Sequence, residues 1–246
     1  MIIDIHTHIP VKDRGKVREI LAEARRLGIS KLCNLGDWPL NAKPDEIVSA
    51  NNHTMRFVRR QPDVFVGFCF LNPNHEKSFL LKEITRCVEK GNLTGIKLEV
   101  ERNARSRRLD PIMEACARLD IPLVHHAWYK TIGKCFDEST PADIADLAGR
   151  HPNVKIIMAH LTADGMRGVL DIQPHPNVYI DTSGSQPFSG IVEYAVEKLG
   201  AERILYGSDI AGRDFACQLG RIYGAKISRH DRDLILGLNA KKLLKL

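Results

Sequence analysis

The chain opens on Met1-Ile2-Ile3-Asp4-Ile5-His6-Thr7-His8-Ile9, an aliphatic run with two histidines near its end. A run of this kind predicts a buried β-strand, in which alternate side chains point to the same face. His6 and His8 would then project together, with Asp4 on the same side below them. Two imidazoles held on one rigid strand supply half of a metal site, so other ligands are expected later in the chain. The ordinary alternative is a strand end that carries two polar residues.

Apolar strands alternate with helices along the rest of the chain. Residues 64–71 are apolar almost throughout, which is typical of a parallel strand buried on both faces. Strict alternation favours parallel strands joined by crossover helices, and eight such units in about 250 residues favour a closed (β/α)8 barrel. The predicted fold is therefore α/β, a single TIM-barrel domain over residues 1–246, with a doubly wound open sheet as the alternative. The strands are predicted at residues 1–9, 29–35, 64–71, 93–100, 121–126, 153–160, 177–182 and 203–209.

The composition narrows the class of protein. A net charge of +6 and a pI near 9.0 permit an anionic substrate or nucleic acid without requiring either. The six cysteines form no Cys-x-x-Cys pair and lie mostly in apolar segments, so they are expected to be reduced thiols of a cytoplasmic protein. No apolar run approaches the roughly 20 residues that a membrane span needs, and no signal peptide is visible, so no membrane partner is expected.

Metal-ligand residues end several of the predicted strands. The active site of a TIM barrel lies at the C-terminal ends of its strands, where such residues would converge. Each has an ordinary alternative: Asp209, for example, could cap the next helix. Five of the eight predicted strands share the pattern, which favours a catalytic divalent ion bound by nitrogen and carboxylate ligands. The residues are His6 and His8, Glu99, His125 and His126, His160, and Asp209.

The order of these residues resembles the metal-dependent amidohydrolase superfamily. His-x-His on the first strand, histidines ending the fifth and sixth strands, and an aspartate ending the eighth all match its pattern. Local sequences such as Gly95-Ile96-Lys97-Leu98 and Tyr206-Gly207-Ser208-Asp209 are similar to the amidohydrolase-2 branch. That branch includes decarboxylases of the aminocarboxymuconate-semialdehyde type and small-molecule hydrolases. The resemblance covers essentially the whole chain.

The resemblance implies a set of metal ligands. His6, His8, His126 and Asp209 match the family's ligands. His126 matches better than His125, because the family histidine lies four residues after the proline of its strand. Only one of two adjacent residues can face the barrel interior, so His125 is expected to face the helices. His160 matches the histidine that acts as a base or electrophile in single-metal members.

Glu99 departs from the commonest pattern of the branch. A carboxylate at this position resembles TatD-like and other two-metal members, in which an acid on the fourth strand bridges two ions. The resulting hypothesis is a binuclear centre, with zinc expected and manganese, iron or nickel as alternatives. A single ion is the competing arrangement. In the binuclear hypothesis one ion is held by His6, His8 and Asp209, the other by His126 and His160, with Glu99 between them.

The implied reaction is hydrolysis by a metal-activated water. A bound ion lowers the pKa of its water towards about 7, and Asp209 would accept and later deliver the proton, while His160 helps to stabilise the oxyanion. The expected substrate is a small, anionic ester, lactone, amide or related compound. A non-oxidative decarboxylase of the same branch is the first alternative. A TatD-like nuclease is the second, although nucleic acid is not the expected partner.

Substrate contacts are expected from the loops that follow the strands. Arginines after the fourth strand could clamp a carboxylate or phosphate, or could belong to a solvated loop. Aromatic residues after the fifth strand could form one wall. Homo-oligomerisation is left open. The candidate contacts are Arg102, Arg105, Trp128, Tyr129 and Arg213, together with Trp38 after the second strand.

Overall fold

The computed structural model describes residues 1–10, 12–37, 39–130, 133–135, 137–186 and 188–246. Within these ranges, eight strands form one sheet in the order of the sequence, and every neighbouring pair is parallel. Helices alternate with the strands. This architecture confirms the predicted (β/α)8 TIM barrel. The strands are β1 (Ile2–Thr7), β2 (Ile29–Asn34), β3 (Phe65–Phe70), β4 (Gly95–Leu98), β5 (Leu123–His125), β6 (Ile156–Met158), β7 (Val178–Asp181) and β8 (Ile204–Leu205).

The helices surround the sheet, and several of them begin at capping signals, such as Asp13 before α1 and Thr140 before α5. Helix α2 starts at Pro44 and ends at Arg60, as predicted from the sequence. Among the described residues, no helix is both long and apolar enough to cross a membrane. The helices are α1 (Arg14–Arg26), α2 (Pro44–Arg60), α3 (Lys77–Ile84, extended by a π-helical turn, Thr85–Glu89), α4 (Asp110–Leu119), α5 (Pro141–Arg150), α6 (Leu161–Ile172), α7 (Ile191–Leu199), α8 (Phe215–Gly224), α9 (Arg229–Asp233, followed by a π-helical turn, Leu234–Leu238) and α10 (Asn239–Leu243).

The two ends of the chain meet where the barrel closes. Strand β8 is short, and the residues after it continue along β1. The backbone N–H of Ile5 donates to the carbonyl of Tyr206 at 2.9 Å, and that of Asp209 donates to the carbonyl of His6 at 2.8 Å. A parallel bridge joins Thr7 to Ile210. Barrel closure therefore places the histidines of β1 directly beside the segment that carries Asp209.

Two apolar layers support this arrangement. Residues on the inner face of the strands, among them Ile5, Phe68 and Val124, pack in the barrel interior with Leu243 of helix α10. A larger layer, which includes Ile96 and Ile156, packs between the strands and the surrounding helices. Burial on both faces explains why the strand sequences are apolar almost throughout. The apolar interior also gives the polar residues at the C-terminal ends a rigid floor.

The observed strands are shorter than the predicted ones at their C-terminal ends. Strand β6 ends at Met158, although the sequence predicted a strand to His160, and β8 ends at Leu205, although a strand to Asp209 was predicted. Both His160 and Asp209 have a left-handed backbone, with φ of 75° and 62°. A left-handed residue cannot continue a strand, so the chain turns where these side chains are presented.

Substitution of Gly67 tests how closely β3 packs against α2. A Cβ atom at this position would lie 2.8 Å from the Cγ2 of Thr54 and 2.9 Å from that of Val58. Both neighbours are β-branched and stiff, so Gly67→Ala is expected to lower the free energy of unfolding by about 1–3 kcal/mol. Gly220→Ala in helix α8 is the control, because nothing lies within 4 Å of its Cβ. Chemical denaturation would measure both, and equal stability of the two variants would contradict this packing.

Candidate active site

Three predicted ligands form a compact group at the C-terminal end of the barrel. The Nε2 atoms of His6 and His8 are 3.2 Å apart. The Oδ1 of Asp209 lies 3.6 Å from the first nitrogen and 3.7 Å from the second. Ligand atoms bound about 2.1 Å from a tetrahedral ion lie about 3.4 Å from one another. The spacing of these three atoms therefore fits one divalent ion.

Hydrogen bonds fix the orientation of both histidines. The Nδ1 of His6 is 2.7 Å from the Oδ2 of Asp181. The Nδ1 of His8 is 2.9 Å from the carbonyl oxygen of Gly36. Each ring thus uses Nδ1 as a donor to an oxygen and turns Nε2 towards the other ligands. This carboxylate–histidine arrangement is the usual support of a metal-bound imidazole.

His126 and His160 form a second pair beside this group. The Nδ1 of His126 and the Nε2 of His160 are 3.2 Å apart. The Nε2 of His126 lies 2.7 Å from Glu138, and the Nδ1 of His160 lies 2.8 Å from the Oγ of Ser183. The rings of His6 and His160 are 5.0 Å apart between centroids. The four histidines therefore line one continuous site, and each has an outer partner that holds its ring.

His6, His160 and Asp181 also come close enough to be considered as a metal group. Their contacts indicate a hydrogen-bond network instead. The bond from His6 to Asp181 has a normal hydrogen-bond length, and the Oδ1 of Asp181 accepts from the backbone N–H groups of His160 and Ser183 at 3.1 and 2.9 Å. A carboxylate that accepts several donors is already satisfied. We therefore assign Asp181 to positioning.

Burial keeps the central histidines neutral. It lowers the pKa of both His6 and His160 well below the usual value, because the charged imidazolium loses its hydration. Lys97 lowers the pKa of His6 further, and His126 does the same for His160. Neutral imidazole is the form that binds a metal ion, so burial favours the metal-binding form of these two rings.

Glu99 is held by a buried lysine. The Nζ of Lys97, which is fully buried in the barrel, lies 2.8 Å from the Oε1 of Glu99. The other oxygen, Oε2, lies 3.6 Å from the Nδ1 of His126. Burial opposes the ionisation of Glu99, but the charge and hydrogen bond of Lys97, together with His126 and His8, outweigh it and the pKa of the carboxyl falls to about 2. Glu99 is thus ionised and adjacent to the ligands, but it belongs to neither compact group of three.

A glycine makes room for the site. A Cβ atom on Gly207 would lie 3.0 Å from the Cβ of His6 and 3.2 Å from that of Asp181. Contacts this short are rare for real Cβ atoms. Gly207 therefore lets the segment after β8 approach the pair of His6 and Asp181 closely.

The predicted arginine contacts are engaged within the surface loops. Arg102 donates from Nε to the Oδ1 of Asn74 at 2.7 Å, and Arg105 pairs with Asp143 at the start of α5. Arg213 is exposed and donates to the carbonyl of its neighbour Gly212. These contacts fit the predicted alternative, in which the arginines belong to a solvated loop and pair with residues of the surface loops. They give no support to an arginine clamp on the substrate.

The aromatic candidates differ from one another. The ring of Trp128 lies 5.4 Å from that of His160 and 6.2 Å from that of His126, so it forms part of the site wall. Tyr129 instead bonds through its hydroxyl to Asp171 on α6. Trp38 lies outside the described residues. His125 is buried, with its Nδ1 2.7 Å from the carbonyl oxygen of His126, and takes no part in the ligand groups.

Sequence reasoning missed four residues that hold the ligands. Asp181 ends strand β7, so the rule that found Asp209 could have found it as well. Lys97 lies on β4, two residues before Glu99, which directly follows the strand. Side chains two residues apart in an extended segment point to the same face. Glu138 and Ser183 lie in loops, where no periodic pattern marks them. Only the folded structure shows which ring each of these two loop residues contacts.

The family of the chain follows from a match over nearly its whole length. The amidohydrolase model of the amidohydrolase-2 family matches residues 3–246. The chain therefore belongs to the amidohydrolase-2 family, as its motifs indicated. A curated relative, gamma-resorcylate decarboxylase of Polaromonas sp. (strain JS666), is 25% identical in an alignment 247 positions long. This alignment covers 80% of this chain and 75% of the relative.

Solved structures share the fold over their full length. A 2,6-dihydroxybenzoate decarboxylase from Rhizobium aligns with a TM-score of 0.78 at 17% identity, covering 99% of this chain and 98% of the other. A dihydroxybenzoic acid decarboxylase from Polaromonas sp. JS666, solved with bound manganese and the inhibitor 2-nitroresorcinol, aligns with a TM-score of 0.75 at 18% identity, covering 100% and 97%. At these identities the likeness establishes the common fold, and function must be argued from the site.

Asp181→Asn tests the positioning of His6. The amide can keep an oxygen acceptor towards the backbone of His160 and Ser183, but it places an NH₂ group against the Nδ1 of His6. We expect metal affinity to fall about 10–100-fold, because the imidazole loses the partner that fixes its tautomer. A metal titration followed by calorimetry would measure the change. The control is Asp63→Asn, an exposed residue before β3. Equal affinity of both variants would rule out the positioning role.

Proposed function

We propose that the protein is a metal-dependent, non-oxidative decarboxylase of a small aromatic acid. The observation that carries this proposal is the sequence relationship to a gamma-resorcylate decarboxylase over most of both chains. The expected hydrolase activity is less well supported than its decarboxylase alternative, because the relatives described above are decarboxylases. The proposed substrate class is an aromatic carboxylate with a hydroxyl group beside the carboxylate, as in the relatives' named substrates.

The donor set suits one divalent ion, for which we propose manganese. His6, His8 and Asp209 supply two nitrogens and one carboxylate oxygen at a fitting distance from one another. Imidazole and carboxylate ligands bind both manganese and zinc, so the donors do not decide between them. The bound manganese of the structural relative favours manganese over the zinc expected from the sequence. His126 lies beside the group as a further ligand or as a substrate contact.

The bonds that break and form in the proposed reaction define what the site residues must do. The bond between the ring carbon and the carboxylate carbon breaks, its electron pair stays on the ring carbon, carbon dioxide leaves, and a proton replaces it. A divalent cation held by His6, His8 and Asp209 would supply positive charge that attracts the anionic substrate. In this proposal Asp209 transfers the proton to the ring carbon, and its side chain, which is 17% exposed, can exchange protons with solvent.

The remaining residues orient the substrate and shape the site. His160 is buried and held by Ser183, so its ring faces the site in one fixed direction. Trp128 lies against His160 and offers an aromatic wall for the substrate ring.

Solvent labelling distinguishes the three candidate reactions. In deuterated water, 2,6-dihydroxybenzoate is expected to release carbon dioxide and yield a product with one deuterium on the ring carbon that carried the carboxylate. Hydrolysis would instead place ¹⁸O from labelled water in a product, and a nuclease would degrade DNA in a salt-sensitive manner. If manganese-loaded enzyme releases no carbon dioxide from a panel of hydroxylated aromatic acids but hydrolyses lactones or esters, the decarboxylase proposal is wrong.

Asp209→Asn tests the proton transfer. The amide cannot donate the proton, so kcat is expected to fall about 10²–10⁴-fold. Steady-state kinetics in manganese excess would measure this, with metal content determined in parallel to separate the loss of a ligand from the loss of the proton. Asp63→Asn serves as the control. Wild-type kcat in Asp209→Asn would assign the proton transfer to another group.

Metal stoichiometry decides between one ion and two. Because Lys97 already pairs with Glu99, we propose one ion per chain in place of the bridged pair expected from the sequence. Elemental analysis of the wild type is expected to give one manganese per chain, and Glu99→Gln is expected to leave that number unchanged. The variant should be less stable, since Lys97 loses its counter-charge. Two ions in the wild type and one in Glu99→Gln would establish the bridge.

A further inference from the structure

Asp4 lies two residues before His6 on β1 and is fully buried. Its Oδ1 accepts two hydrogen bonds, one from the backbone N–H of His6 at 3.0 Å and one from the backbone N–H of Ser208 at 3.0 Å. His6 is itself a candidate ligand, and Ser208 directly precedes another, Asp209. One carboxyl oxygen therefore joins two segments that carry ligands.

The two N–H groups need this acceptor because regular strand pairing is interrupted on both sides of β1. The pairing of β1 with β2 shifts its register between Asp4 and Thr7. On the other side, β8 ends at Leu205, before Ser208 is reached. A buried N–H group without a partner is costly, so a side-chain oxygen must replace the missing backbone carbonyls. Asp4 supplies that oxygen to both groups.

Other contacts hold the segment after β8 mainly from the side of β7 and from within. The N–H of Gly207 donates to the Oγ1 of Thr182 at 3.2 Å, and the N–H of Ile210 donates to the Oγ of Ser208 at 3.1 Å. The same hydroxyl of Ser208 donates to the carbonyl of His6, but at 3.5 Å. The hydrogen bond to Asp4 is therefore the shorter side-chain link between this segment and β1.

This link bears directly on the spacing of the ligands. The Oδ1 of Asp209 lies 3.6 Å from the Nε2 of His6, and both residues belong to backbone that Asp4 holds. Without the acceptor, two buried N–H groups would have to find water or other partners, which would draw the segments apart. The carboxylate and the imidazole would then leave the geometry that fits one ion.

We propose that Asp4 is a positioning residue of the metal site, which sets the spacing between His6 and Asp209 by joining their backbone segments through one carboxyl oxygen. The role belongs to this oxygen as an acceptor and not to the charge of the carboxylate. The inference rests on the metal binding of the proposed function. It is independent of whether the reaction is decarboxylation or hydrolysis.

Substitutions at Asp4 that keep or remove the acceptor test this role. Manganese affinity of the full chain would be measured by calorimetric titration, with unfolding followed in parallel so that only folded protein is compared. Asp4→Leu, which is similar in size but has no acceptor, is expected to lower the affinity about 10–100-fold. Asp4→Asn keeps an oxygen in the position of Oδ1 and is expected to retain the wild-type affinity.

Asn239→Leu is the matched control. Asn239 is also buried and also joins two backbone groups, because its Nδ2 donates to the carbonyls of Ala201 at 2.7 Å and Ile204 at 2.8 Å. These contacts lie at the N-terminal end of β8, away from the ligands. This variant is expected to be less stable than the wild type and to keep its manganese affinity.

The outcomes separate positioning from a general loss of stability. Wild-type affinity in Asp4→Leu, an equal loss in Asp4→Asn, or an equal loss in Asn239→Leu would each overturn the inference. If Asp4→Leu does not fold, Asp4→Ser replaces it under the same criteria, because its oxygen lies one bond closer to the backbone and cannot reach both N–H groups. Failure to release carbon dioxide would reject the proposed reaction and leave this inference standing, since its readout is metal affinity.

Discussion

Everything at the candidate site depends on the closure of the barrel between its first and last strands. The hydrogen bond from the N–H of Asp209 to the carbonyl of His6 joins segments from opposite ends of the chain. The same contact sets the spacing between the side chains of those residues and His8. A slip by one residue would turn the histidines away from the aspartate, because strand side chains alternate between faces. Backbone pairing thus fixes the geometry of the ligands.

Charge balance inside the barrel is the second constraint. The interior holds the ammonium of Lys97 and the carboxylate of Asp181, both fully buried, and the carboxylate of Glu99, which is 13% exposed. Each carboxylate is compensated by a near neighbour, Glu99 by Lys97 and Asp181 by several N–H donors and the ring of His6. Removing one partner of such a buried pair leaves an uncompensated charge, which is strongly unfavourable. The charge at the site is therefore set by residues below the ligands as much as by the ligands themselves.

The sequence predicts the fold and the candidate ligands better than it predicts the residues that hold those ligands in place. Eight apolar segments sufficed for the barrel, because parallel strands buried on both faces leave a clear pattern. His6, His8 and Asp209 were predictable for the same reason: polar residues stand out where apolar strands end. Glu138 could not be predicted, since a loop has no periodicity that would aim it at His126. For the arginines after β4 the sequence left a substrate clamp and a solvated loop equally open, and in the structure Arg102 and Arg105 contact Asn74 and Asp143.

Helix α10 packs against the floor of the barrel, and this has a consequence for biosynthesis. Leu243 packs against residues of the barrel interior, and a Cβ on Gly237 would lie 2.6 Å from the carbonyl oxygen of Met1. A growing polypeptide cannot complete these contacts until residues 237–243 have left the ribosome, so the edge of β1 that closes the barrel stays unpaired until then. The nascent chain lacks Asp209 beside its histidines for the same period. The candidate metal site is thereby completed only after residues 237–243 have been made, and a shorter nascent chain does not hold its three donor groups together.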